Sequence, residues 1–442
     1  MSETGKEMAR LDARAGESER RSGQKTAGLH PRARTAEGKG MAQANEALHE
    51  SPNESLPERV ASLETALAEA SASGSWRISA SLRASLEAQS WFRRNRQRAL
   101  VLAAWLKSGR LDLAADAFLS YYRRHPPFRG RSLIPRKLRK SGRREPRLLS
   151  IEEWAEQYSR SPSAEILVFQ NVYGDGLIER LDPAFVPVEG RRNLRTEIRE
   201  FNLFLQMFRS GLYRCAALTG IVSPKFTGKA RVSGDEFLGF IRQNPGYDAY
   251  FVNPFPYNPY YTFNVWYHGE LCHPGLAALA ETLFVRAGYD GHLIRDPRDS
   301  AKTALYSSYW VAGEAFWEGY VAMLVRLFEA LLAMAPQERE PYLSPAPNYP
   351  DAVPILTFIL ERSFSAYLHI NPALSALAYP FSREAIVRHA RLSGQHFEAN
   401  LVSAFGGVID EIDARREYTE ADRELFHALT RLCAPGVEGR WR

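Results

Sequence analysis

From Ala164 onward the sequence alternates between short apolar runs with strand character and longer segments with helical periodicity. The run AEILVFQNVY, residues 164–173, is rich in β-branched and aromatic side chains and predicts a buried strand. CAALTGIV and YDAYFV predict further strands, whereas FNLFLQMF places apolar residues three and four apart, as amphipathic helices do. Because strands that alternate with helices form parallel sheets covered on both faces, the predicted fold class is α/β with a mostly parallel sheet and flanking helices.

The regions around this α/β segment differ from it in composition. Residues 1–52 are rich in glycine, serine and charged side chains and are predicted to be disordered. Residues 53–125 predict a helical region that includes a hairpin, and residues 126–150 form a basic linker. The α/β domain is placed at residues 160–375, and residues 376–442 are predicted to form C-terminal helices.

Positive charge is concentrated in one part of the chain. Residues 123–147 contain eleven Lys or Arg and one Glu, whereas the whole chain carries a formal net charge of +6. Such a segment predicts either peripheral contact with an anionic membrane or a solvated linker. Nucleic-acid binding is not favoured, because Phe128 is the only Phe, Tyr or Trp of this segment on which a base could stack.

Cysteine usage and hydropathy predict a location for the protein. Cys215, Cys272 and Cys433 are far apart and form no CxxC pair, which argues against a disulfide framework and fits a reducing compartment. The first residues contain no apolar core of a signal peptide, and no apolar run is long enough to cross a bilayer. We therefore expect a cytoplasmic protein, peripheral at the inner membrane if the basic segment contacts lipid.

Polar residues follow the predicted strands at the positions where a ligand would bind. In open α/β sheets, ligands occupy the crevice beyond the carboxyl ends of the strands. At these positions the sequence has Gln170 and Asn171, then Ser223 to Lys225, and then Asn253. Lys225 could neutralise the charge of a phosphate group, although a lysine after a turn is also a common surface residue.

The segment from Gly246 to Gly275 combines aromatic, proline, asparagine and histidine residues with almost no basic side chains. Its Asn-Pro and Phe-Pro steps predict a rigid loop after a strand that begins beside Asp248. Glu270 and His273 are candidate general bases, because carboxylates and imidazoles accept protons. The ring of Trp266 could stack on a sugar or a base, or it could simply hold the loop in place.

Helix formation and zinc binding are both disfavoured in the later part of this segment. His268, Glu270 and His273 do not have the H-E-x-x-H spacing of a helical zinc site. Gly269 between them and Pro274 after them argue against a helix. His268 and Glu270 are therefore predicted to lie in a loop, and His273 is at the start of the next predicted helix, HPGLAALAETLFVRAG.

Charged residues also occur inside predicted helices. Glu361 and Arg362 lie in the apolar stretch ILERSFSAYL, where burying an unpaired charge would be costly. They either line the floor of the active site or form an internal ion pair. Glu200, within another predicted helix, is either an acceptor-side carboxylate or a surface residue.

Three pieces of the sequence occur in a fixed order. They are REFNLF with GLYRCAALTGIVSPKF, GYDAYFVNPFP with NVWYHGELCHPG, and YSSYWVAGEAFWEGY with ILERSFSAYL. Together they resemble a group of bacterial glycosyltransferase-like domains found in surface-polysaccharide gene products and related to GT-A nucleotide-sugar transferases. The resemblance covers about residues 160–375.

The resemblance implies a GT-A-like, Rossmann-type domain that moves a sugar from a nucleoside diphosphate donor to a glycan or lipid-linked acceptor. It implies that Gln170 and Asn171 face the nucleotide and that Asp248 lies near a metal ion and the diphosphate. GT-A enzymes usually hold Mg²⁺ or Mn²⁺ with an Asp-x-Asp motif, which this sequence lacks. Three alternatives follow: a metal held by Asp248 with help from elsewhere, a metal-independent enzyme that uses Lys225, or a non-catalytic glycan-binding or scaffold module.

The candidate residues fall into three groups. The catalytic candidates are Glu270, His273 and Asp248, and Asp248 is also the candidate metal ligand. The candidates for binding the nucleotide as cofactor are Gln170, Asn171, Lys225 and Asn253. The substrate-binding candidates are Trp266, His268, Tyr309, Glu361 and Arg362.

Overall fold

The structure of the chain, a computed structural model, describes most of the residues from 147 onward. The described residues are 54–72, 147–159, 164–173, 178, 181–190, 198, 200–346, 353–415 and 417–433. The predicted disordered segment 1–52, the predicted hairpin and nearly all of the basic segment 123–147 lie outside the described residues.

Six strands of the described residues form one sheet, in the order β2-β1-β3-β5-β4-β6. The strands are β1 (Ala164–Val172), β2 (Val186–Glu189), β3 (Ala216–Val222), β4 (Ala249–Phe251), β5 (Trp310–Ala312) and β6 (Ala376–Ala378). Neighbours are parallel except at β5, which runs antiparallel to both β3 and β4. The predicted α/β class with a mostly parallel sheet is confirmed.

Helices surround this sheet and continue beyond it toward the C-terminus. Before β4 they are α1 (Leu56–Ala72), α2 (Ile151–Ser159), α3 (Glu200–Arg209), α4 (Phe226–Ala230) and α5 (Gly234–Gln243). Between β4 and β5 lie α6 (Val265–Cys272), α7 (Leu276–Arg286) and α8 (His292–Arg295). After β5 come α9 (Glu314–Ala333), α10 (Pro336–Leu343), α11 (Ile355–Ile370), α12 (Arg383–Leu392), α13 (His396–Asp413) and α14 (Glu420–Cys433).

The sheet is buried on both faces because alternate side chains of each strand enter different apolar clusters. Phe169, Phe251 and Trp310 belong to the larger cluster, which also contains the apolar faces of α3, α9 and α11. Val168 and Tyr250 point the other way and pack with α4 and α5. This alternation is the period of two that strands impose, and it explains why the strand sequences are apolar throughout.

The predicted loop between Gly246 and Gly275 contains helix α6, so that prediction was wrong. Asn264 begins the helix, with its Oδ1 accepting hydrogen bonds from the backbone N–H groups of Trp266 and Tyr267 at 3.0 and 2.9 Å. Gly269 is in the helix interior, where a Cβ would lie 2.8 Å from Nε of Arg362. The glycine therefore permits close packing, and the N-cap overcomes its low helix propensity.

The aromatic residues of the same segment form a third apolar cluster with the C-terminal helices. Tyr257, Tyr260, Tyr261 and Phe263 are buried against α12, α13 and α14. Thr430 Oγ1, on α14, donates a hydrogen bond of 2.6 Å to the carbonyl of Tyr261. These rings hold the loop and the C-terminal helices together.

Two short strands of the sheet were not expected from the sequence. β2 pairs in parallel with the carboxyl half of β1, and β6 pairs in parallel with β4. β6 begins at Ala376, so the part of the chain predicted to be only helical contributes a strand to the sheet. The helices predicted between Phe381 and Cys433 are present as α12, α13 and α14.

Candidate functional site

A cleft opens at the edge of the sheet where β3 ends and the antiparallel strand β5 begins. The chain adds β2 on one side of β1 and β3 on the other, so the order of strands reverses at β1. Ligands of open α/β sheets bind beside such a reversal, and the cleft at the end of β3 is next to it. Its empty volume is about 300 Å³. Its lining residues are Glu200, Ile221, Ser223, Lys229, Ser307, Ser308, Tyr309 and Glu361.

The polar side chains of the cleft come from the ends of several different elements. Ser223 follows β3 directly, and residues 307–309 lead into β5. Glu200 is the first residue of α3, and Lys229 lies in the short helix α4. Glu361 lies in α11, which crosses the larger apolar cluster. Two carboxylates, one lysine and several hydroxyls thus converge on a single cleft.

Tyr309 forms part of the floor of the cleft. Its side chain is 2% exposed, and its hydroxyl lies 3.0 Å from Oγ of Ser223, which joins the end of β3 to the start of β5. Burial raises the pKa of Tyr309, and the negative charges of Glu200 and Glu361 raise that pKa further. The phenol therefore stays protonated, and both carboxylates are close enough to affect its pKa through their charge.

Two buried polar atoms at this edge of the sheet, one in the lining of the cleft and one after β4, have no hydrogen-bond partner among the described residues. Oγ of Ser307, a residue that is 4% exposed, is one of them. The other is Nδ2 of Asn253, which follows β4, while Oδ1 of Asn253 accepts a hydrogen bond of 2.9 Å from the N–H of Phe255. Since buried polar groups normally have partners, these two atoms are suited to hydrogen-bond a ligand.

Lys229, rather than the predicted Lys225, is the lysine that lines the cleft. Lys225 is the residue before the first turn of α4 and is exposed. Lys229 is half-buried, and its Nζ lies 5.8 Å from the ring centroid of Phe255. The two lysines are four residues apart, so a search for cations one turn beyond the end of the strand could have found Lys229.

Gln170 is fully buried and has a bracing role. Its Oε1 accepts a hydrogen bond of 2.8 Å from the N–H of Asp182, and its Nε2 donates one of 3.3 Å to the carbonyl of Ser223. Asp182 in turn accepts hydrogen bonds of 2.8 Å from Thr227 Oγ1 and from the N–H of Gly234. Gln170 therefore fixes the end of β3 at the cleft without lining the cleft itself.

Asn171 is also buried at the end of β1, but it faces β2. It pairs across the sheet with Val188, and it is 4% exposed. Its Oδ1 has no hydrogen-bond partner among the described residues. A Cβ on Gly190 would overlap this oxygen, so the glycine makes room for the Asn171 side chain.

Asp248 lies away from the cleft, at the opposite edge of the sheet. It precedes β4, whereas Asn253 follows β4 at the edge that carries the cleft. Its Oδ2 accepts two hydrogen bonds of 2.7 Å, one from the N–H and one from Oγ of Ser375. The carboxylate therefore fastens the start of β4 to the segment before β6, and the structure does not bring it together with the other candidates.

Glu270 lies in the last turn of α6, and His273 is the residue that follows this helix. The Glu270 carboxylate accepts hydrogen bonds from the N–H groups of Gly275 at 2.8 Å and Ala277 at 3.1 Å, so it caps the N-terminus of α7. The His273 ring stacks on Phe358 with centroids 3.9 Å apart. Both side chains are buried, and neither lines the cleft.

His268 and Arg362 form a buried polar contact between α6 and α11. Arg362 donates hydrogen bonds of 2.9 Å to the carbonyls of Val265 and Phe358, and its Nη2 lies 3.5 Å from Nδ1 of His268. Burial, together with the positive charge of Arg362, holds the pKa of His268 well below its usual value. His268 is therefore neutral, and its Nε2 lies 3.0 Å from Nδ2 of Asn258.

The neighbouring residues Glu361 and Arg362 face different surroundings. Glu361 lines the cleft, whereas Arg362 points to the carbonyl of Val265 in α6. Trp266, another substrate-binding candidate, is 1% exposed and packs edge-on against Phe284 in the larger apolar cluster. Of the substrate-binding candidates, only Glu361 and Tyr309 line the cleft.

The described residues contain neither a preformed metal site nor a membrane-spanning helix. Among the described residues, no group of three or more His, Cys, Asp or Glu side chains is arranged to hold a metal ion. In the same part of the chain, no helix is long and apolar enough to span a bilayer.

Comparisons with models of protein families, with curated proteins and with solved structures gave no match for this chain.

Proposed function

We propose that the chain is a glycosyltransferase that moves a sugar from a nucleoside diphosphate donor to a glycan or lipid-linked acceptor in bacterial surface-polysaccharide biosynthesis. The observation that carries this proposal is the convergence of Lys229, Glu200 and Glu361 on one cleft at the carboxyl edge of the sheet. The resemblance of the three sequence pieces to GT-A-related domains supports the same reaction. Both the cleft and these pieces lie within the α/β part of the chain.

Lys229 is proposed to bind the diphosphate. When the bond between the sugar and the diphosphate breaks, negative charge builds on the leaving phosphate and must be stabilised by a cation. Lys229 is half-buried beside the end of β3, where its charge is less screened than that of the exposed Lys225. The proposal thus assigns to Lys229 the role that the sequence analysis gave to Lys225.

Glu200 and Glu361 are proposed to act on the acceptor. Transfer to a hydroxyl requires a base that takes its proton, and carboxylates often serve this role. Tyr309 is held protonated, so it is suited to donate a hydrogen bond to a sugar oxygen rather than to accept a proton. Oγ of Ser307 offers a further contact for a sugar hydroxyl.

A Mg²⁺ or Mn²⁺ ion at this cleft would need oxygens from the donor as well as from the protein. Magnesium is commonly held by one or two carboxylates together with substrate phosphates. Glu200 and Glu361 are the carboxylates of the cleft, whereas Asp248 lies at the other edge of the sheet. When bound, such an ion would neutralise charge on the diphosphate.

The proposal is tested by calorimetric binding of UDP, GDP, CMP and dTDP, each with and without Mn²⁺. We expect one nucleotide to bind, and we expect Lys229→Ala to weaken its affinity by about tenfold or more, because a charge-assisted contact is lost. Lys225→Ala is the matched control and should leave the affinity unchanged. Asp248→Asn should also leave it unchanged, since Asp248 lies away from the cleft.

The absence of an Asp-x-Asp motif favours one alternative, a non-catalytic module that binds a glycan. The carboxylates and hydroxyls of the cleft can hydrogen-bond sugar hydroxyls without a metal ion. A chain that binds none of the nucleotides but binds monosaccharides or short glycans, with loss of binding in Glu361→Gln, would support this alternative and contradict the transferase proposal.

A further inference from the structure

Large apolar side chains are exposed at the junction of α12 and α13. Leu392, the last residue of α12, is 61% exposed, and Phe397, in the first turn of α13, is 47% exposed. Phe405 and Val408 continue along α13 and are 36% and 46% exposed. Together they make up half of the eight large hydrophobic side chains that are exposed in the described residues, so the exposure is concentrated here.

Positive charge accompanies these apolar side chains. Arg388 and Arg391 are exposed on the last turns of α12, and neither forms an ion pair with another described residue. The nearest acidic residue in the following helix, Glu398, is half-buried. We call the group of Arg388, Arg391, Leu392 and Phe397 the α12–α13 tip.

The tip is a protruding turn. Residues 391–397 are all exposed except Ser393, and Gly394 makes the turn with a φ of 82°, a left-handed conformation that favours glycine. An exposed turn with apolar residues at both ends and two exposed arginines in the preceding helix has the chemistry of a peripheral membrane anchor. Its apolar side chains can enter the boundary between lipid headgroups and acyl chains, while its cations contact lipid phosphates.

We propose that the α12–α13 tip is a contact surface for an anionic phospholipid bilayer. Leu392 and Phe397 insert into the interface, and Arg388 and Arg391 bind the phosphates. Charge complementarity favours the lipid surface as the partner, because Arg388 and Arg391 form no ion pair with another described residue, and the exposed Glu384 lies a full turn before Arg388 in α12. This surface is separate from the basic segment 123–147, and the inference does not depend on the reaction proposed above.

The tip is linked to the cleft through α12. Nε2 of His389 lies 3.0 Å from the carbonyl oxygen of Lys229, so α12 packs against the short helix that supplies the lysine of the cleft. His389 is one turn before Leu392. A tip docked on a bilayer would therefore hold the cleft close to the membrane surface, where a lipid-linked molecule could reach it.

Flotation of the full chain with phospholipid vesicles tests the proposal. We expect wild type to bind vesicles of phosphatidylcholine with phosphatidylglycerol more tightly than vesicles of phosphatidylcholine alone. The double variant Leu392→Ser/Phe397→Ser should reduce the partition coefficient on the anionic vesicles by about tenfold or more. The matched control is Val285→Ser/Tyr247→Ser, which removes apolar side chains that are 52% and 38% exposed elsewhere on the molecule, and it should bind as wild type.

A charge variant separates the two parts of the surface. Arg388→Gln/Arg391→Gln should weaken binding to anionic vesicles and lessen its dependence on salt, because fewer lipid charges are neutralised. The proposal is overturned if the tip variants bind as tightly as wild type, which would assign lipid binding to residues 123–147. It is also overturned if wild type binds no vesicles, or if the tip variants only convert a dimer to a monomer in size-exclusion chromatography.

Discussion

Arg298 and Asp413 form a bidentate ion pair in which Nε and Nη2 of the arginine donate to the two carboxylate oxygens, each at 3.0 Å. The same guanidinium donates hydrogen bonds to the carbonyls of Pro259, Thr262 and Phe263 at 2.6 to 2.9 Å. Its side chain is completely buried. One arginine thus fastens the aromatic loop before α6 to helix α13.

Removal of the carboxylate should destabilise the protein strongly. We expect Asp413→Ala to lower the free energy of unfolding by about 3–5 kcal/mol, because it leaves the buried cation of Arg298 without its counter-charge. Glu411→Ala, on the exposed side of the same helix, should change that free energy by no more than about 0.5 kcal/mol. Urea unfolding measures both values, and equal small losses would contradict the importance of the pair.

Glu270 should affect stability rather than ligand binding. Its carboxylate accepts two hydrogen bonds at the N-terminus of α7, so Glu270→Ala should lower the free energy of unfolding by about 1–2 kcal/mol. The affinity for the nucleotide that wild type binds should stay unchanged. A loss of affinity in Glu270→Ala, without a change in the unfolding midpoint, would instead return Glu270 to the active site.

The pair of His369 and Asp299 should make stability depend on pH. Burial alone lowers the pKa of His369, but the Asp299 carboxylate, 2.7 Å from Nε2, raises that pKa above its ordinary value of 6.5. A histidine whose pKa is raised by folding adds stability below its unfolded pKa. This stability is lost as the pH rises through the folded pKa.

The variant His369→Gln measures this contribution. The difference in unfolding free energy between wild type and variant should be largest near about pH 5.5 and should shrink by about pH 8.5. If the difference in unfolding free energy for His369→Gln grew with pH, the predicted direction of the His369 pKa shift would be wrong.

Alanine substitutions at Gly190 and Gly220 should differ in whether a second substitution can restore the lost stability. A Cβ at Gly190 would overlap the side chain of Asn171, whereas a Cβ at Gly220 would overlap the backbone carbonyl of Trp310. We expect each alanine variant to lose about 1–3 kcal/mol of stability. Asn171→Ala should recover part of the loss for Gly190→Ala, because it removes the colliding atoms, while no change of side chain at position 310 should rescue Gly220→Ala. Thermal unfolding of the single and double variants gives the comparison.

The order of strands and helices was largely predictable because it depends on local patterns. β1, β3, β4 and the helices α5 and α11 all coincide with strongly patterned stretches of sequence. β6 has three half-buried residues and no pattern of its own, so pairing with β4 alone makes it a strand. Helix α6 was missed because Gly269 and Pro274 were taken as evidence against a helix, whereas the N-cap at Asn264 stabilises one.

The candidate site was only partly predictable, because it depends on which edge of the sheet a residue occupies. Asn253 was expected beyond the carboxyl end of its strand, and it follows β4 at the edge that carries the cleft. Tyr309 was named as a substrate-binding candidate without being assigned to an edge. Asp248 precedes its strand and therefore lies at the other edge, a conclusion that the strand direction alone could have given. Lys229 and Glu200 belong to helices, and their side chains reach the cleft only through tertiary packing.

The reversed direction of β5 has a consequence for how this site could be altered. Strands that run in the common direction reach the cleft with their trailing loops, whereas β5 reaches it with its leading loop, residues 307–309. Insertions or exchanges just before Ser307 would therefore remodel one part of the cleft, while Ser223 after β3 and Lys229 in α4 kept their positions. The ligand specificity of the cleft could therefore be changed at the segment before β5 without altering its other walls. This segment is a suitable position for a library of variants.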